Sequence, residues 1–382
     1  MPLSHLHINN FRNLTSIQLD LATDGFNFIY GDNGSGKTSL LEAIYYLGVG
    51  KSFRASSFER LIRHQTDQLL VAAHARHADH TSALGIERHR NGTMKIRVRG
   101  KEAESIAELV QFLPIRLVNA SCHSLLEGEP QFRRKYVDWG IFYQNEQFLS
   151  VWRHFNRLLK QRNQALQKKC HKNEIDTWTQ GLLESALQID QWRQQYVQNL
   201  LPYLNAMLAE LLSSAITTEA VIASPASFAG RGNPVSIDYY PGWNKNFSYA
   251  EILAESLAQD LRQGYTQYGP HRADLKFQIK QIPAKDMLSR GQQKLFVCAM
   301  IVAQGALLAA SGESKPIYLI DDLPAELDTK SRASLMTLLT QQQTQVFITA
   351  TKSESLNDIR TLCQQAVKMF HVKHGSAVEV SD

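Results

Sequence analysis

The sequence predicts an α/β protein in which a mixed sheet flanked by helices, with an antiparallel β part, is interrupted by a mainly helical insertion. Three observations predict this class. Short apolar runs that lead into helical segments occur near both ends of the chain, at residues 26–30 and 317–320. Residues 3–21 alternate between apolar and polar side chains, as in a strand with one buried face. From about residue 132 to 212, apolar residues follow helical spacing instead.

The composition of the 382-residue chain is typical of a globular protein, with 43% apolar and 20% charged residues. No run of eighteen apolar residues occurs, so the sequence predicts no transmembrane helix and no membrane partner. The first residues alternate like a strand and lack the regions of a signal peptide. The four cysteines lie far apart without a C-x-x-C pair, which favours reduced thiols. We therefore expect a cytoplasmic protein.

The first third of the chain predicts two hairpins around a central strand and helix. Residues 3–21 form the first hairpin, and the apolar residues 26–30 form a buried strand followed by a helix at 39–47. The second hairpin is centred on Asn91-Gly92, which favours a tight turn between its arms at 83–90 and 93–99.

The rest of the chain predicts a helical region and then a return to alternating helices and strands. Pro202 is expected to end or kink the second long helix. Loops and short strands are expected at 213–247, followed by a helix at 249–264. In the last part the pattern predicts helices at 291–309 and 330–340 and strands at 317–320 and 346–349. The domain prediction is a nucleotide-binding head formed by 1–120 and 263–382, with an inserted lobe at 121–262.

Residues 31–38 read GDNGSGKT and match the pattern of a phosphate-binding loop between a strand and a helix. Glycines allow backbone N–H groups to surround a phosphate, and the helix N-terminus adds its positive dipole end. A glycine-rich turn that carries Lys-Thr by chance is the alternative, but the flanking strand and helix favour nucleotide binding. The predicted ATP contacts are Gly31, Asp32, Asn33, Gly34, Ser35, Gly36, Lys37, Thr38 and Ser39.

Two carboxylates, Asp321 and Asp322, follow the apolar strand at 317–320. Asp321 is predicted to hold Mg²⁺ together with the Thr38 hydroxyl. Asp322 is predicted to act in catalysis with Lys37 by orienting or deprotonating the attacking water. A strand–helix connection whose Asp caps the next helix remains an equal alternative for this pair alone. A third segment, Leu-Ser-Arg-Gly-Gln at 288–292, opens a helix, and alone its serine would be an ordinary N-cap.

Taken together, these segments resemble the head of an ABC-type ATPase, and more narrowly the RecF family, which is related to the SMC and Rad50 heads. Residues 325–328, Ala-Glu-Leu-Asp, complete the ABC-type pattern. The narrower resemblance covers nearly the whole chain and rests on six segments: 10–13 (NFRN), 50–54 (GKSFR), 133–139 (RRKYVDW), 158–163 (LLKQRN), 269–275 (GPHRADL) and 288–292 (LSRGQ).

The resemblance implies an ATP-dependent DNA-binding homodimer of recombinational repair and replication restart. It implies that ATP closes two heads into a clamp on DNA, that the cofactors are ATP and Mg²⁺, and that partners are mediators of the RecO/RecR type. It further implies support of SOS induction and recombinase loading. The nucleotide would be contacted from the second subunit by Ser289, Arg290, Gly291 and Gln292. His271 and Arg272 are assigned to the nucleotide or dimer interface by the same resemblance.

The resemblance implies a DNA-stimulated ATPase, and two departures from the ABC pattern favour slow hydrolysis that works as a switch. Asp322 stands where such heads usually carry Glu, and it is one methylene shorter. Residues 349–351, Thr-Ala-Thr, stand where a histidine often follows the last strand.

Two basic segments are candidates for DNA contact. Residues 130–172 contain ten Lys or Arg against two acids, and Arg153, Arg157 and Lys160 follow i, i+4, i+7 spacing on one helix face. In the second hairpin, Lys95, Arg97 and Arg99 share one strand face, opposite Ile96 and Val98. A solvated face is the alternative for each. Without a motif that reads base edges, binding is expected to be directed at the DNA backbone.

Two other protein classes share parts of this pattern. The ATPase subunit of a membrane transporter would also carry the phosphate loop and the Leu-Ser-x-Gly-Gln segment. Lys37 and Ser289 are 252 residues apart, however, which is more than such a subunit needs. A Rad50-like tether would need long heptad repeats, which the sequence lacks.

Overall fold

The computed structural model describes residues 2–77, 80–215, 235–312, 314–363 and 365–380. Most of the region 213–247, predicted as loops and short strands, lies outside these residues. The described residues form two compact units. The first comprises those within 1–122, 207–225 and 290–382, and the second those within 123–206 and 226–289.

Two sheets form the first unit, one antiparallel and one mixed. Their strands are β1 (Leu3–Phe11), β2 (Leu14–Asp20), β3 (Phe26–Tyr30), β4 (Gln68–His77), β5 (His80–His89), β6 (Met94–Val98), β7 (Lys101–Glu102), β8 (Ile115–Val118), β12 (Ile317–Ile320), β13 (Val346–Ala350), β14 (Val367–Lys373) and β15 (Ser376–Val380). The second unit contains the other three strands, β9 (Val235–Tyr240), β10 (Asp274–Ile279) and β11 (Ile282–Pro283). The antiparallel sheet has the order β2-β1-β4-β5-β6-β7. Both predicted hairpins, β1–β2 and β5–β6, are therefore confirmed.

The mixed sheet has the order β15-β14-β3-β13-β12-β8. Strands β14, β3, β13, β12 and β8 run parallel, and β15 is antiparallel to β14. Every residue of β12 and β13 is buried, which explains their continuous apolar sequences. Because parallel strands point the same way, the loops that follow β3, β12 and β13 meet at one edge of the sheet.

The helices flank these sheets and build the second unit. Their bounds are α1 (Lys37–Val49), α2 (Ile106–Phe112), α3 (Ser124–Glu127), α4 (Pro130–Gln144), α5 (Phe148–Gln167), α6 (Lys172–Ala215), α7 (Tyr249–Gln263), α8 (Ala284–Met287), α9 (Arg290–Ala310), α10 (Leu323–Glu326), α11 (Thr329–Gln342) and α12 (Glu354–Arg360). By length and composition α9 could cross a membrane, but 83% of its most apolar window is buried inside the protein. It is therefore a core helix, as its contacts with α11 and β8 also indicate.

The second unit is mainly helical and also contains the sheet β11-β10-β9. Two observations here differ from what the sequence indicated. Pro202 does not end a helix, because α6 continues through it to Ala215, and the alternative of a kink at Pro202 stays a prediction. The unit also extends to Ser289 instead of ending at residue 262, because β9 pairs along its whole length with β10 at Asp274–Ile279. That pairing joins segments on both sides of the expected boundary.

Buried ion pairs hold the second unit together. The Arg162 guanidinium donates to Asp260 at 2.9 Å and to the Thr266 hydroxyl at 2.6 Å, and both charged side chains are essentially inaccessible to solvent. Arg133 pairs with Asp274 at 2.7 Å. Part of the positive charge counted in residues 130–172 is therefore neutralised internally, and that segment presents less net charge to a partner than its sequence indicates.

His271 gives this unit a defined sensitivity to acid. Its Nε2 lies 3.1 Å from the Thr266 carbonyl oxygen. The pKa of His271 is lowered from 6.5 to about 4, mainly by burial and also by the charges of Arg272, Arg134 and Arg193, while the hydrogen bond to Thr266 acts in the opposite direction. Between pH 6.5 and 4 the unfolded chain therefore binds a proton that the folded chain does not.

We expect the free energy of unfolding to decrease as pH falls from 6.5 to 4, by on the order of 3 kcal/mol from His271 alone. His271→Gln, which retains a donor for the Thr266 carbonyl, should flatten this decrease. Urea unfolding midpoints at several pH values measure both chains. Equal losses of stability in wild type and variant over this range would show that His271 is not responsible.

Candidate nucleotide-binding site

The predicted phosphate loop and the acidic pair lie at one edge of the mixed sheet. In the parallel register Tyr30 pairs with Ala350, and Ile320 pairs with Ile348. The loop after β3 and the residues after β12 are therefore neighbours, although they are separated by almost 300 positions in sequence. The fold thus assembles one site from both ends of the chain.

The backbone of the phosphate loop has the conformation that its glycines permit. Gly31 has φ of +151°, and a Cβ there would lie 2.2 Å from the Val372 carbonyl oxygen, so no other residue fits. Gly36 is the N-cap residue of α1 and has no side chain with which to cap that helix. The first N–H groups of α1 therefore remain suited to an anion.

Lys37 is buried and reaches back across the loop. Its Nζ donates to the carbonyl oxygens of Gly31 at 2.7 Å and Asp32 at 2.9 Å. Burial lowers the pKa of Lys37, whereas the charges of Asp322, Asp321 and Asp32 raise it. The ammonium group is thus already held within the loop, close to where a phosphate would lie.

Asp321 is the centre of a small cluster of oxygen atoms that could act as metal ligands. Its Oδ1 accepts hydrogen bonds from the Thr38 hydroxyl at 3.1 Å and from the Thr349 hydroxyl at 2.8 Å. Hydroxyl and carboxylate oxygens are the ligands that Mg²⁺ prefers. The predicted metal residues, Thr38 and Asp321, are therefore adjacent and chemically suited to Mg²⁺.

Ser35 supports the same assignment for the phosphate. Its side chain is buried, and its Oγ has no hydrogen-bond partner among the residues that the structure describes. A buried hydroxyl without a partner is unfavourable unless a ligand or water completes its bonding. A phosphate oxygen in the loop would supply that acceptor.

Asp322 has an unusual backbone and a perturbed carboxyl group. Its φ of +52° and ψ of 50° place a residue other than glycine in the left-handed region. The backbone N–H of Asp322 donates to the Thr349 hydroxyl at 2.7 Å, which holds this conformation. Burial and the charge of Asp321 raise the pKa of Asp322, while Lys37 lowers it. A carboxylate with a raised pKa is a stronger proton acceptor, as the predicted catalytic role requires.

These residues surround a cavity of about 920 Å³, which is large enough for a nucleotide. Of the predicted ATP residues, Gly31, Asp32 and Ser35 do not belong to its described lining. The charged lining consists of six cations and three acids: Arg12, Lys37, Arg54, Arg60, Arg63 and Arg90 against Glu59, Asp321 and Asp322. The excess of positive charge suits a polyphosphate.

Sequence reasoning did not assign most of this rim to the site. Arg12 and Arg54 belong to the segments that carry the family resemblance, but no role was derived for them. Arg60, Arg63 and His64 belong to no motif, and only the fold brings them to the cavity.

The residues predicted to act across a dimer lie at the start of α9. Ser289 precedes that helix, and Arg290, Gly291 and Gln292 form its first turn. The described lining of the cavity does not include these residues. Their role in a second subunit stays a prediction.

The two predicted DNA-binding rows are both on the surface. In β6 and the turn after it, Lys95, Arg97 and Arg99 are exposed, whereas Ile96 and Val98 are buried, as the alternation predicts. The row of Arg153, Arg157 and Lys160 on α5 is likewise exposed. Exposure permits DNA contact at either row but does not test it.

Comparison with known proteins identifies relatives over the whole chain. Residues 2–377 match the family described as the RecF/RecN/SMC N-terminal domain. The protein from Shewanella piezotolerans called "DNA replication and repair protein RecF" is 39% identical over 375 residues, which is 98% of each chain. The protein of the same name from Histophilus somni is 38% identical over 98% of this chain and 99% of its own.

Solved structures agree with this assignment. The recombination mediator protein RecF-ATPrS in the RecFOR pathway has a TM-score of 0.83 at 25% identity, over 100% of this chain and 99% of its own. The Smc head bound to the C-terminal winged-helix domain of ScpA shares the fold alone, with a TM-score of 0.59 and 14% identity over 100% of this chain and 98% of its own. With an ABC-type head, an inserted helical lobe and relatives that match along 98% of its length, the chain belongs to the RecF family.

Proposed function

We propose that this chain is a cytoplasmic, ATP-dependent DNA-binding protein of recombinational repair and replication restart. The observation that carries the proposal is the cluster of Lys37, Thr38, Asp321 and Asp322 in one cationic cavity. Its RecF relatives match almost the whole chain, which favours this function over that of a transporter ATPase subunit.

ATP would bind with its phosphates in the loop formed by residues 31–38. Backbone N–H groups and Lys37 contact the β- and γ-phosphates, and the Ser35 hydroxyl has the chemistry to donate to a phosphate oxygen. Thr38 and Asp321 would hold Mg²⁺, which neutralises phosphate charge when bound. The solved RecF structures include one described as RecF-ATP, which supports this assignment.

Hydrolysis would proceed by attack of water on the γ-phosphorus. The bond between that phosphorus and the β,γ-bridging oxygen breaks, which yields ADP and phosphate, and Asp322 accepts the proton of the water. Asp322 is a methylene shorter than the usual Glu, and its backbone is fixed by Thr349, so its reach toward the water is limited. We infer a slow, DNA-stimulated ATPase in which hydrolysis resets a switch.

The switch would be an ATP-dependent homodimer. In ABC-type heads the γ-phosphate is contacted by the serine of the other subunit, and here that contact falls to Ser289, followed by residues 290–292. Two heads that close head to tail would bury two nucleotides and clamp DNA. ATP then stabilises the dimer because it binds the closed form more tightly than the open one.

DNA contact is assigned preferentially to α5. This helix contains no Asp or Glu, so Arg153, Arg157 and Lys160 have no acidic neighbour on their own helix. In the hairpin, Lys95 lies 3.7 Å from Glu87, and the Arg99 guanidinium lies over the Phe112 ring at 4.6 Å. Two of the hairpin cations are therefore engaged by an acid or a ring, whereas in the α5 row Arg157 Nη2 lies 2.9 Å from the uncharged partner His154 Nδ1 and no acid lies on the helix.

We expect the triple variant Arg153→Glu, Arg157→Glu and Lys160→Glu to bind duplex DNA weakly. The slope of log K against log salt should flatten by about 0.9 for each phosphate contact that is lost. Fluorescence anisotropy with labelled duplex at several salt concentrations measures this slope. The matched control is the corresponding triple charge reversal at Lys95, Arg97 and Arg99. If the hairpin variant loses DNA binding while the α5 variant binds like wild type, the DNA site is the hairpin and not α5.

Partners of the RecO/RecR type, support of SOS induction and recombinase loading complete the proposal. The comparison with a recombination mediator of the RecFOR pathway supports them.

The decisive experiment is DNA binding titrated against salt with ATP, with ADP and without nucleotide. Tighter DNA binding with ATP than with ADP is the expected result, and equal affinity in all three conditions would contradict the proposal.

A further inference from the structure

Glu42 is a buried acid beside the nucleotide cavity that the proposed ATP chemistry does not use. It lies on α1, five residues after Lys37, and its side chain has no exposed surface. A buried carboxylate needs charge partners and hydrogen bonds to remain ionised. The partners of Glu42 come from two separate segments that both reach the cavity.

The first segment is the turn between β1 and β2. The Arg12 guanidinium donates to both carboxylate oxygens of Glu42, from Nε at 2.8 Å and from Nη2 at 2.6 Å. This paired geometry fixes the plane of the guanidinium. The Arg12 backbone is also fixed, since its φ is +56° and its N–H donates to the Leu61 carbonyl at 2.7 Å.

The second segment is the loop that follows α1. The Ser52 hydroxyl donates to Glu42 and accepts hydrogen bonds from the backbone N–H groups of Arg54 at 2.8 Å and Ala55 at 2.7 Å. The guanidinium Nη1 of Arg54 lies 3.8 Å from Glu42, which is beyond hydrogen-bonding distance. Its side chain is 47% exposed, compared with 21% for Arg12.

The two arginines therefore differ in freedom although they share one carboxylate. Arg12 is held through its Nε and Nη2 atoms, and within the described part of the chain its Nη1 makes no hydrogen bond that would compete with another acceptor. Arg54 is attracted to Glu42 by charge but can move. One negative and two positive charges leave this group with a net charge of +1, and both arginines line the nucleotide cavity.

We propose that Glu42 is a positioning residue that holds Arg12 toward the nucleotide phosphates. The inference rests on the proposed function, because it needs ATP in this cavity. Glu42 itself does not touch the nucleotide. It acts by fixing the direction in which Arg12 presents its remaining donors, which reduces the entropy lost when the phosphate binds.

The test is a double-mutant cycle between Glu42→Gln and Arg12→Ala, with ATP affinity measured by calorimetry. Each single variant should bind ATP about tenfold to a hundredfold more weakly, as expected for a lost or misdirected charge-assisted hydrogen bond. Because Glu42 acts through Arg12, the double variant should bind no more weakly than Arg12→Ala alone. Residues that act independently would instead give the product of the two effects.

A matched control separates positioning from general destabilisation. Asp260 is also fully buried and paired with an arginine, Arg162, but it belongs to the second unit. Asp260→Asn and Glu42→Gln should both lower the melting temperature, since each removes a buried carboxylate charge that pairs with an arginine. Only Glu42→Gln should change ATP affinity. Glu42→Asp, which keeps the charge but shortens the side chain, should show an intermediate affinity and provides a test if Glu42→Gln does not fold.

The outcomes distinguish this inference from the proposed function. Wild type that binds ATP, together with a folded Glu42→Gln or Glu42→Asp of unchanged affinity, would overturn the positioning role alone. A further loss of affinity on adding Glu42→Gln to Arg12→Ala would do the same. Failure of the wild-type chain to bind ATP at all would overturn both.

Discussion

Lys37→Met is expected to abolish measurable ATP binding while leaving the chain folded. The ammonium group donates to the Gly31 and Asp32 carbonyls within the phosphate loop, so a phosphate there would lie against a positioned charge. Methionine retains the apolar stem but removes that charge. The lost charge-assisted bond is worth about 1.5–3 kcal/mol, and repulsion between the phosphates and Asp321 and Asp322 adds to the loss.

Calorimetry with ATP and Mg²⁺ measures the effect, and thermal unfolding reports whether the variant is folded. The control is Lys276→Met, which makes the same substitution at an exposed position of β10. This control should bind ATP like wild type. Unchanged affinity in a folded Lys37→Met chain would remove the basis for nucleotide binding at this loop.

The second large effect concerns ATP-dependent dimerisation, which Ser289→Arg should prevent and Asp322→Asn should preserve. Ser289→Arg should still bind ATP, since Ser289 lies outside the described lining of the cavity of its own chain, but it should neither dimerise nor hydrolyse ATP. Asp322→Asn should dimerise with ATP and remain closed. Its amide cannot accept the proton of the attacking water, and the substitution also removes the negative charge that lies beside Asp321.

Light scattering with and without ATP and Mg²⁺ measures the oligomeric state of each chain. A mixture of Lys37→Met and Ser289→Arg chains should form at most one intact composite site per heterodimer. A monomer at saturating ATP, in both wild type and Asp322→Asn, would contradict the clamp.

The elements that the sequence predicted most accurately are those whose own residues decide their structure. The strands Phe26–Tyr30 and Ile317–Ile320 have the predicted bounds, because continuous burial on both faces demands continuous apolar residues. Pro202 was predicted to end or kink its helix. It does not end it, because α6 continues to Ala215 and Leu200 and Leu204 on either side of the proline are buried, and a kink stays a prediction. The sequence did not indicate that Asp274–Ile279 pairs with Val235–Tyr240, because the β9–β10 pairing is a non-local contact that no sequence window contains.

The residues of the candidate site also fall into two groups, those that a local motif predicted and those that only the fold brings together. Lys37, Thr38, Asp321 and Asp322 were predicted because their motifs have a fixed relation to strand ends. Thr349 had been noted only as a missing histidine, yet its hydroxyl binds both Asp321 and the Asp322 backbone. Glu42 carries no motif of its own, and its role depends on Arg12, which lies thirty positions away in sequence.

The internal ion pairs of the second unit have a practical consequence for salt titrations. The Arg162–Asp260 pair is shielded from mobile ions, and Arg193 donates to Asp138 at 2.8 Å with only 3% of its own side chain exposed. Counterions weaken interactions mainly where both charges face water. Raising ionic strength should therefore leave this unit intact while salt ions weaken the proposed contacts of Arg153, Arg157 and Lys160 with DNA phosphates. A salt-dependent loss of DNA affinity then measures displaced counterions and not a melting protein.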